Sequence, residues 1–100
     1  MNKYKVKLLP KAYRDLEQIY RYISESLLEN EIALNLIKTI ENAIINLDEI
    51  PYRGAIRKVG TYANKGYRQL FIKNFTIIYR IDEINKNVII VTVKYSRSKF

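Results

Sequence analysis

The sequence predicts one α+β domain, in which a strand and an antiparallel helical hairpin precede a three-stranded antiparallel meander, with the helices packed on one face of the sheet. Three observations predict this. Apolar residues recur at helical spacing through most of the first half of the chain. Three runs of β-branched and aromatic residues follow between Lys65 and Arg97, separated by short polar turns. The length of 100 residues, 48% of them hydrophobic, suits a single domain with one modest core.

The chain opens with a predicted strand. From Tyr4 to Leu9 apolar residues alternate with lysines, which is the period-two pattern of a half-buried strand. Pro10 then favours a change of element. Proline cannot continue a strand ladder, but it fits the first turn of a helix, where its missing N–H would have had no partner. We therefore expect a short strand followed directly by a helix.

Two amphipathic helices follow. The first spans Ala12 to about Leu28; the second starts near Asn30, whose side chain suits an N-cap, and ends before Pro51. Their apolar stripes comprise Ala12, Leu16, Ile19, Tyr20, Ile23 and Leu27 in the first helix and Ala33, Leu36, Ile37, Ile40, Ile44 and Leu47 in the second. The break at Leu28–Asn30 is short, so we expect an antiparallel hairpin lying across the sheet.

The next segment, from Pro51 to Gly66, contains all three glycines and is predicted to be a loop with a short strand near Ala55–Val59. Alternation along the meander then gives its side chains two faces, one meeting the helices and the other carrying the cations. We assign Leu70, Ile72, Ile77, Tyr79, Ile89 and Val91 to the helix face, and Arg68, Phe71, Ile78, Arg80, Thr92 and Lys94 to the opposite face.

Several kinds of chemistry are excluded by composition. The chain has no cysteine and no histidine, so it lacks disulfides, thiol nucleophiles, zinc sites with nitrogen or sulfur ligands, and the usual general base near neutral pH. Its second half has only two acids, Asp82 and Glu83, which we place near a turn, so no metal and no cofactor is implied. No apolar run of membrane-spanning length and no signal-peptide pattern is present, so we expect a cytoplasmic protein without a membrane partner.

The net charge of +8 is concentrated in one half of the chain. Residues 1–50 contain seven Lys/Arg and eight Asp/Glu, whereas residues 51–100 contain eleven Lys/Arg and two acids. Between Arg53 and Arg80 there are seven cations and no acid. A mixed solvated surface would not be segregated in this way. The pattern favours a polyanion or an acidic protein as partner over a basic surface that only maintains solubility.

Four stretches carry a family resemblance. D-L-E-Q-I-Y-R-Y-I in the first helix, P-Y-R-G after the second, then G-Y-R-Q-L and F-T-I-I-Y-R-I, in this order over nearly the whole chain, resemble the RelE/ParE superfamily of bacterial toxins. The resemblance implies the toxin of a type II toxin-antitoxin system, encoded beside a cognate antitoxin that wraps and neutralises it. RelE-like members cut mRNA in the ribosomal decoding site. ParE-like members instead inhibit DNA gyrase and need no proton-transfer group.

The RelE-like activity would require a site for RNA cleavage. Attack of a ribose 2′-OH on the adjacent phosphate needs a proton acceptor, a proton donor and cations around the phosphate. The resemblance points to Arg68, Tyr95 and Arg97 as catalytic candidates, while Arg57, Lys58, Lys65, Arg80 and Lys94 are candidates for RNA binding. Simpler roles compete: Arg68 could be a solvated cation or an antitoxin contact, and Tyr95 could pack in the fold or stack on a base.

Two departures count against this activity. Thr76 follows Phe75 where RelE-like members tend to have a basic residue, and there is no histidine near the end of the chain. We still expect a ribosome-dependent mRNA endoribonuclease, metal-independent and acting on the ribosome and mRNA. A ParE-like inhibitor of DNA gyrase is the alternative, and a non-catalytic basic domain that binds RNA or an acidic protein is a third hypothesis.

Overall fold

A computed structural model describes residues 3–26, 30–98 and 100 and shows an α+β fold of two helices and a five-stranded mixed sheet. The predicted α+β class is confirmed. The elements are β1 (Lys5–Leu8), α1 (Pro10–Arg21), α2 (Asn30–Ile45), β2 (Ala55–Ile56), β3 (Arg68–Ile72), β4 (Phe75–Asp82) and β5 (Asn87–Tyr95). Across the sheet the strands follow the order β1, β5, β4, β3, β2. No described helix has the length and apolarity needed to cross a membrane.

The first strand, β1, lies at one edge of the sheet and pairs in parallel with β5, placing Leu8 opposite Ile90. The amide of Leu9 still donates to the carbonyl of Ile90, at 2.9 Å. The chain leaves the sheet at Pro10, which has no N–H to offer β5 and opens α1 as predicted. As a result, β5 continues beyond the end of its β1 partner.

Both helices differ in detail from their predicted bounds. The first, α1, ends at Arg21 and continues as a π-helical turn over Tyr22–Ser26. The predicted stripe residue Leu27 and the predicted break at Leu28–Glu29 lie outside the described residues. The second helix, α2, begins at Asn30 and is followed by a 3₁₀ turn over Asn46–Asp48.

The two helices and one face of the sheet enclose the hydrophobic core. Tyr79 is its largest fully buried side chain. The core includes Ala12 and Leu16 of α1, Ile40, Ala43 and Ile44 of α2, and Leu70, Ile77, Val88, Ile90 and Val93 of the strands. Tyr20, which was assigned to the buried stripe of the first helix, is instead 38% exposed.

A bulge interrupts the pairing of β4 with β5. Residues 90 and 92 of β5 lie opposite neighbouring residues of β4, so Val91 has no opposite residue. The core residues of β5 are Val88, Ile90 and Val93, and the predicted placement of Ile89 and Val91 against the helices is wrong. Alternation could not set the phase here, because every residue from Val88 to Val91 is apolar.

Arg68 was also assigned to the wrong face. It lies opposite Tyr79 in the pairing of β3 with β4, and it shares the helix-facing side with Leu70, two residues further along β3. Side chains two residues apart in a strand point to the same face, so the burial of Leu70 fixes the side on which Arg68 lies. As the first residue of β3, Arg68 is only half-buried, which leaves its charge near solvent.

Candidate functional site

A buried hydroxyl fastens the 3₁₀ turn Pro51–Arg53 to the sheet. The Tyr79 hydroxyl donates to the carbonyl of Pro51 at 2.7 Å and accepts from the amide of Gly54 at 2.8 Å. Burial raises the pKa of Tyr79, so the hydroxyl remains a neutral donor. A Cβ atom at Gly54 would lie 2.5 Å from the carbonyl oxygen of Gln69 and 2.7 Å from the Tyr79 hydroxyl, so only glycine fits without displacing them.

Arg68, the principal catalytic candidate, belongs to the same arrangement. Its Nη1 donates to the carbonyl of Gly54 at 2.6 Å, and its guanidinium carbon lies 4.7 Å from the centroid of the Tyr52 ring. We term Pro51, Tyr52, Gly54, Arg68 and Tyr79 the Tyr79 brace. The Tyr79 brace connects three of the stretches that carry the family resemblance: P-Y-R-G, G-Y-R-Q-L and I-I-Y-R-I. Some residues of these stretches therefore have a structural role.

Tyr95, the second catalytic candidate, lies far from Arg68. It packs edge-to-face on Phe75, with ring centroids 5.7 Å apart, and remains 40% exposed at the end of β5. Tyr95 pairs with Phe75, whereas Arg68 pairs with Tyr79 on the other side of β4. Four residues of strand separate these positions by about 13 Å, and two strand spacings add about 10 Å across the sheet. Arg97, the third candidate, is exposed in the turn after β5.

Arg57, an RNA-binding candidate, is only 7% exposed. Its guanidinium donates to the carbonyl of Val59 at 2.9 Å, to Oε1 of Gln69 at 2.9 Å and to the backbone oxygen of Phe100 at 3.1 Å. The guanidinium carbon also lies 4.6 Å from the centroid of the Phe100 ring. These contacts connect the loop after β2 to β3 and to Phe100, and they occupy the donors that a phosphate would need.

The other RNA-binding candidates are dispersed. Lys58 and Lys65 are exposed in the loop between β2 and β3, Arg80 is exposed on β4, and Lys94 is half-buried on β5. Arg80 lies opposite Ile89, which on its other side lies opposite Lys7 of β1. This alignment of Lys7 and Arg80 on either side of Ile89 was not predicted, because the parallel β1–β5 pairing has no local signal.

A buried carboxylate, also missed, caps the edge of β5 where β1 ends. Asp15 of α1 is 7% exposed and accepts hydrogen bonds from the amide of Val93 at 3.2 Å and from the hydroxyl of Thr92. Lys11 pairs with the same carboxylate at 3.1 Å. Asp15 therefore satisfies an amide that a neighbouring strand would otherwise bind. The adjacent core residue Leu16 was the only sequence signal that placed Asp15 near the sheet.

Beside Asp15 lies a groove of about 600 Å³ between the helices and the ends of β4 and β5. Its apolar wall comprises Ile19, Ile23, Leu36 and Phe75. Tyr22 and Tyr95 also line it and are 63% and 40% exposed. Within residues 3–26, 30–98 and 100, no group of three acidic side chains is placed to hold a metal ion. The groove is thus suited to an apolar partner segment.

Comparison with known proteins identifies the family. The family described as "ParE toxin of type II toxin-antitoxin system, parDE" matches residues 6–100. The fold is similar to that of the chromosomal ParDE system from P. aeruginosa, with a TM-score of 0.77, 24% identity, and 95% of this chain and 98% of that chain covered. No curated protein sequence matches significantly.

Two further solved structures share the fold. The RelBE2 toxin-antitoxin complex from Mycobacterium tuberculosis aligns with a TM-score of 0.62 and 23% identity, covering 95% of this chain and 93% of that one. The YoeB/ParE toxin from Agrobacterium tumefaciens aligns with a TM-score of 0.60 and 15% identity, covering 91% and 96%. With a family match over residues 6–100, the chain belongs to the ParE toxin family of type II toxin-antitoxin systems.

Proposed function

We propose that this toxin inhibits DNA gyrase by binding it in the cytoplasm, and that it does not cut mRNA. The observation that carries the proposal is the separation of Arg68 from Tyr95, on strands at either side of β4 and four residues apart along it. RNA cleavage needs its proton acceptor, proton donor and cations around one phosphate. The Arg68 guanidinium is held at Gly54 and Tyr52 and the Tyr95 ring packs on Phe75, so this arrangement does not bring the two side chains to one phosphate. The expected endoribonuclease thus becomes the second hypothesis.

The environment of each candidate supports the same proposal. Arg68 donates from Nη1 to the carbonyl of Gly54 and stacks on the Tyr52 ring, so its guanidinium already helps to hold a turn. Arg57 is interior and bound to three acceptors. The chain also has no histidine to act as a proton acceptor or donor near neutral pH. Inhibition by binding needs a rigid complementary surface and no proton transfer, and membership of the ParE family favours that mode of action.

The second partner in this proposal is a cognate antitoxin, as in the toxin-antitoxin systems that share this fold. The groove beside Asp15 suits the apolar side chains of an antitoxin segment that folds on binding. Lys94 at the groove favours acidic residues in that segment, while the charge of Asp15 is balanced by Lys11. Such a segment would cover the exposed rings of Tyr22 and Tyr95.

The decisive experiment measures both activities of the purified toxin. Gyrase supercoiling of relaxed plasmid is followed as toxin is added, and primer extension is run on a message translated with the same toxin preparation. We expect supercoiling to stop while the message stays intact. Continued supercoiling together with new mRNA ends inside codons would overturn the proposal in favour of the nuclease.

Variants sharpen this test if they leave the fold intact. Arg68→Ala is unsuitable alone, because it also removes a hydrogen bond of the Tyr79 brace. Tyr95→Phe and Arg97→Gln retain packing and change only exposed polar groups. A nuclease that relies on these residues would lose its activity in both variants. A gyrase inhibitor of the kind proposed retains its potency in both.

A further inference from the structure

We infer that the exposed side chains of Tyr52 and Arg53 form the surface by which the toxin contacts an acidic region of its target protein. This inference rests on the proposed function for the identity of the target, but the surface itself can be tested without it. Neither residue was a candidate from the sequence, and neither belongs to the groove beside Asp15.

The side chains at this turn have the character of an interaction surface. Tyr52 is 52% exposed, and Ile50 and Ile56 nearby in sequence are 51% and 41% exposed. Arg53 is exposed next to Tyr52. Residues 49–53 surround a shallow cleft of about 440 Å³. Tyrosine and arginine are enriched among the residues that dominate binding energy at protein interfaces, particularly where they border a pocket.

The turn is held rigid from inside the molecule. The Tyr79 hydroxyl binds Pro51 and Gly54 on either side of the two residues, Arg68 binds the carbonyl of Gly54, and the amide of Arg53 donates to Ile50 at 3.1 Å. The guanidinium of Arg68 covers one face of the Tyr52 ring. A surface that is already ordered loses little conformational entropy on binding, so this bracing favours affinity.

The charges at the turn select an acidic partner. The acid that lines the cleft, Glu49, pairs with Lys3 at 3.2 Å, which balances its charge. From Arg53 to Arg80 the sequence contains seven cations and no acid. An acidic protein surface approaching Tyr52 and Arg53 therefore meets no opposing carboxylate from that stretch, and its own carboxylates can bind the Arg53 guanidinium in a bidentate manner.

This surface is distinct from the antitoxin groove. Its bracing residue Tyr79 lies four residues along β4 from Phe75, which lines the groove, a separation of about 13 Å. Substitutions at the turn can therefore weaken target binding without removing any residue that lines the groove. This separation provides an internal control.

The test uses the full chain with Arg53→Glu and Tyr52→Ala, measuring growth arrest after induction and inhibition of gyrase supercoiling. Lys38→Glu on α2 and Tyr13→Ala on α1 are matched controls, because both side chains are exposed and lie on other elements. We expect each turn variant to lose potency by about tenfold or more, and the controls to remain active. Circular dichroism melting verifies folding, and Arg53→Gln replaces Arg53→Glu if the charge reversal prevents it.

Each outcome decides a separate point. If the folded turn variants arrest growth as strongly as the wild type, the proposal that Tyr52 and Arg53 contact the target is overturned. Arrest by the wild type with gyrase fully active overturns the gyrase proposal, while the surface is still judged by the arrest assay. Binding of wild-type toxin to linear DNA without gyrase, lost in Arg53→Glu, would identify nucleic acid as the ligand and overturn the acidic protein.

Discussion

The Tyr79 hydroxyl reaches 28 residues back along the sequence to donate a hydrogen bond to the carbonyl of Pro51. The same oxygen accepts from Gly54, so one side chain satisfies both backbone groups that flank Tyr52 and Arg53. This contact joins the loop after α2 to the central strand of the meander, and it determines how the proposed target surface is presented.

Tyr79→Phe should lower the free energy of unfolding by about 3 kcal/mol. The substitution leaves the Pro51 carbonyl and the Gly54 amide without their partner, and each such buried polar group costs about 1–3 kcal/mol. Denaturant titration measures the change in midpoint. Tyr13→Phe, on an exposed tyrosine, is the control and should change stability by less than about 0.5 kcal/mol. Equal midpoints for the two variants would show that the hydroxyl contributes nothing to stability.

The raised pKa of Tyr79 predicts a loss of stability at alkaline pH. The neutral hydroxyl contributes fully to stability below the unfolded pKa of about 10. Between that pKa and the higher folded pKa, the unfolded state has released its proton and the folded state has not. The contribution is therefore lost as pH rises from the unfolded pKa through the folded pKa. Unfolding midpoints measured from pH 8 to 11 should therefore fall more steeply for the wild type than for Tyr79→Phe. Parallel curves would contradict this assignment.

Gly54→Ala should be more destabilising than Gly66→Ala. The added carbon at Gly54 meets Gln69 at 2.5 Å, whereas nothing lies within 4 Å of the equivalent position at Gly66, whose φ of +83° is the only obstacle. We expect losses of about 3 kcal/mol from overpacking at Gly54 and about 1 kcal/mol from backbone strain at Gly66. Thermal melts of both variants give the order, and a reversed order would refute the tight approach at Gly54.

Asp15→Asn should destabilise the fold by about 2 kcal/mol, since the carboxylate accepts hydrogen bonds at an otherwise open strand edge and bonds to charged groups contribute about 1.5–3 kcal/mol. Glu17→Gln is its control on the same helix. Glu17 pairs with Arg21, but both side chains are more than half exposed, so the expected change is near zero. Similar losses of stability in the two variants would mean that the contacts of Asp15 with β5 do not contribute to the free energy of unfolding.

Arg57→Lys should reduce stability and leave RNA affinity unchanged. Lysine cannot reproduce three simultaneous hydrogen bonds to Val59, Gln69 and Phe100, so we expect a loss of about 2 kcal/mol, or roughly 8–16 °C in melting temperature. Lys58→Ala on the adjacent exposed residue is the control. A drop in RNA affinity at an unchanged melting temperature would restore Arg57 as a nucleic-acid contact.

Local patterns predicted most of the fold but not how its distant parts meet. Helical spacing together with the β-branched and aromatic runs predicted the α+β class, and Pro10 predicted the start of α1. Because residues 88–91 are all apolar, alternation could not show which side chains of β5 face the helices. No local pattern indicated the bulge between β4 and β5. The contacts of Arg68 with Gly54, and of Arg57 with Gln69 and Phe100, join segments distant in sequence, which composition and spacing do not reveal.

The parallel pairing of β1 with β5 has a consequence for when the protein can fold. Among the residues that the structure describes, the strand partners of residues 5–8 are residues 87–90, so no nascent chain that stops before β5 can complete the sheet. Pairing across so long a loop raises the contact order, which slows folding, and it delays closure of the core until the last strand has been synthesised. The newly made toxin therefore has an interval without its complete sheet, and any activity that needs the folded sheet begins only after that interval.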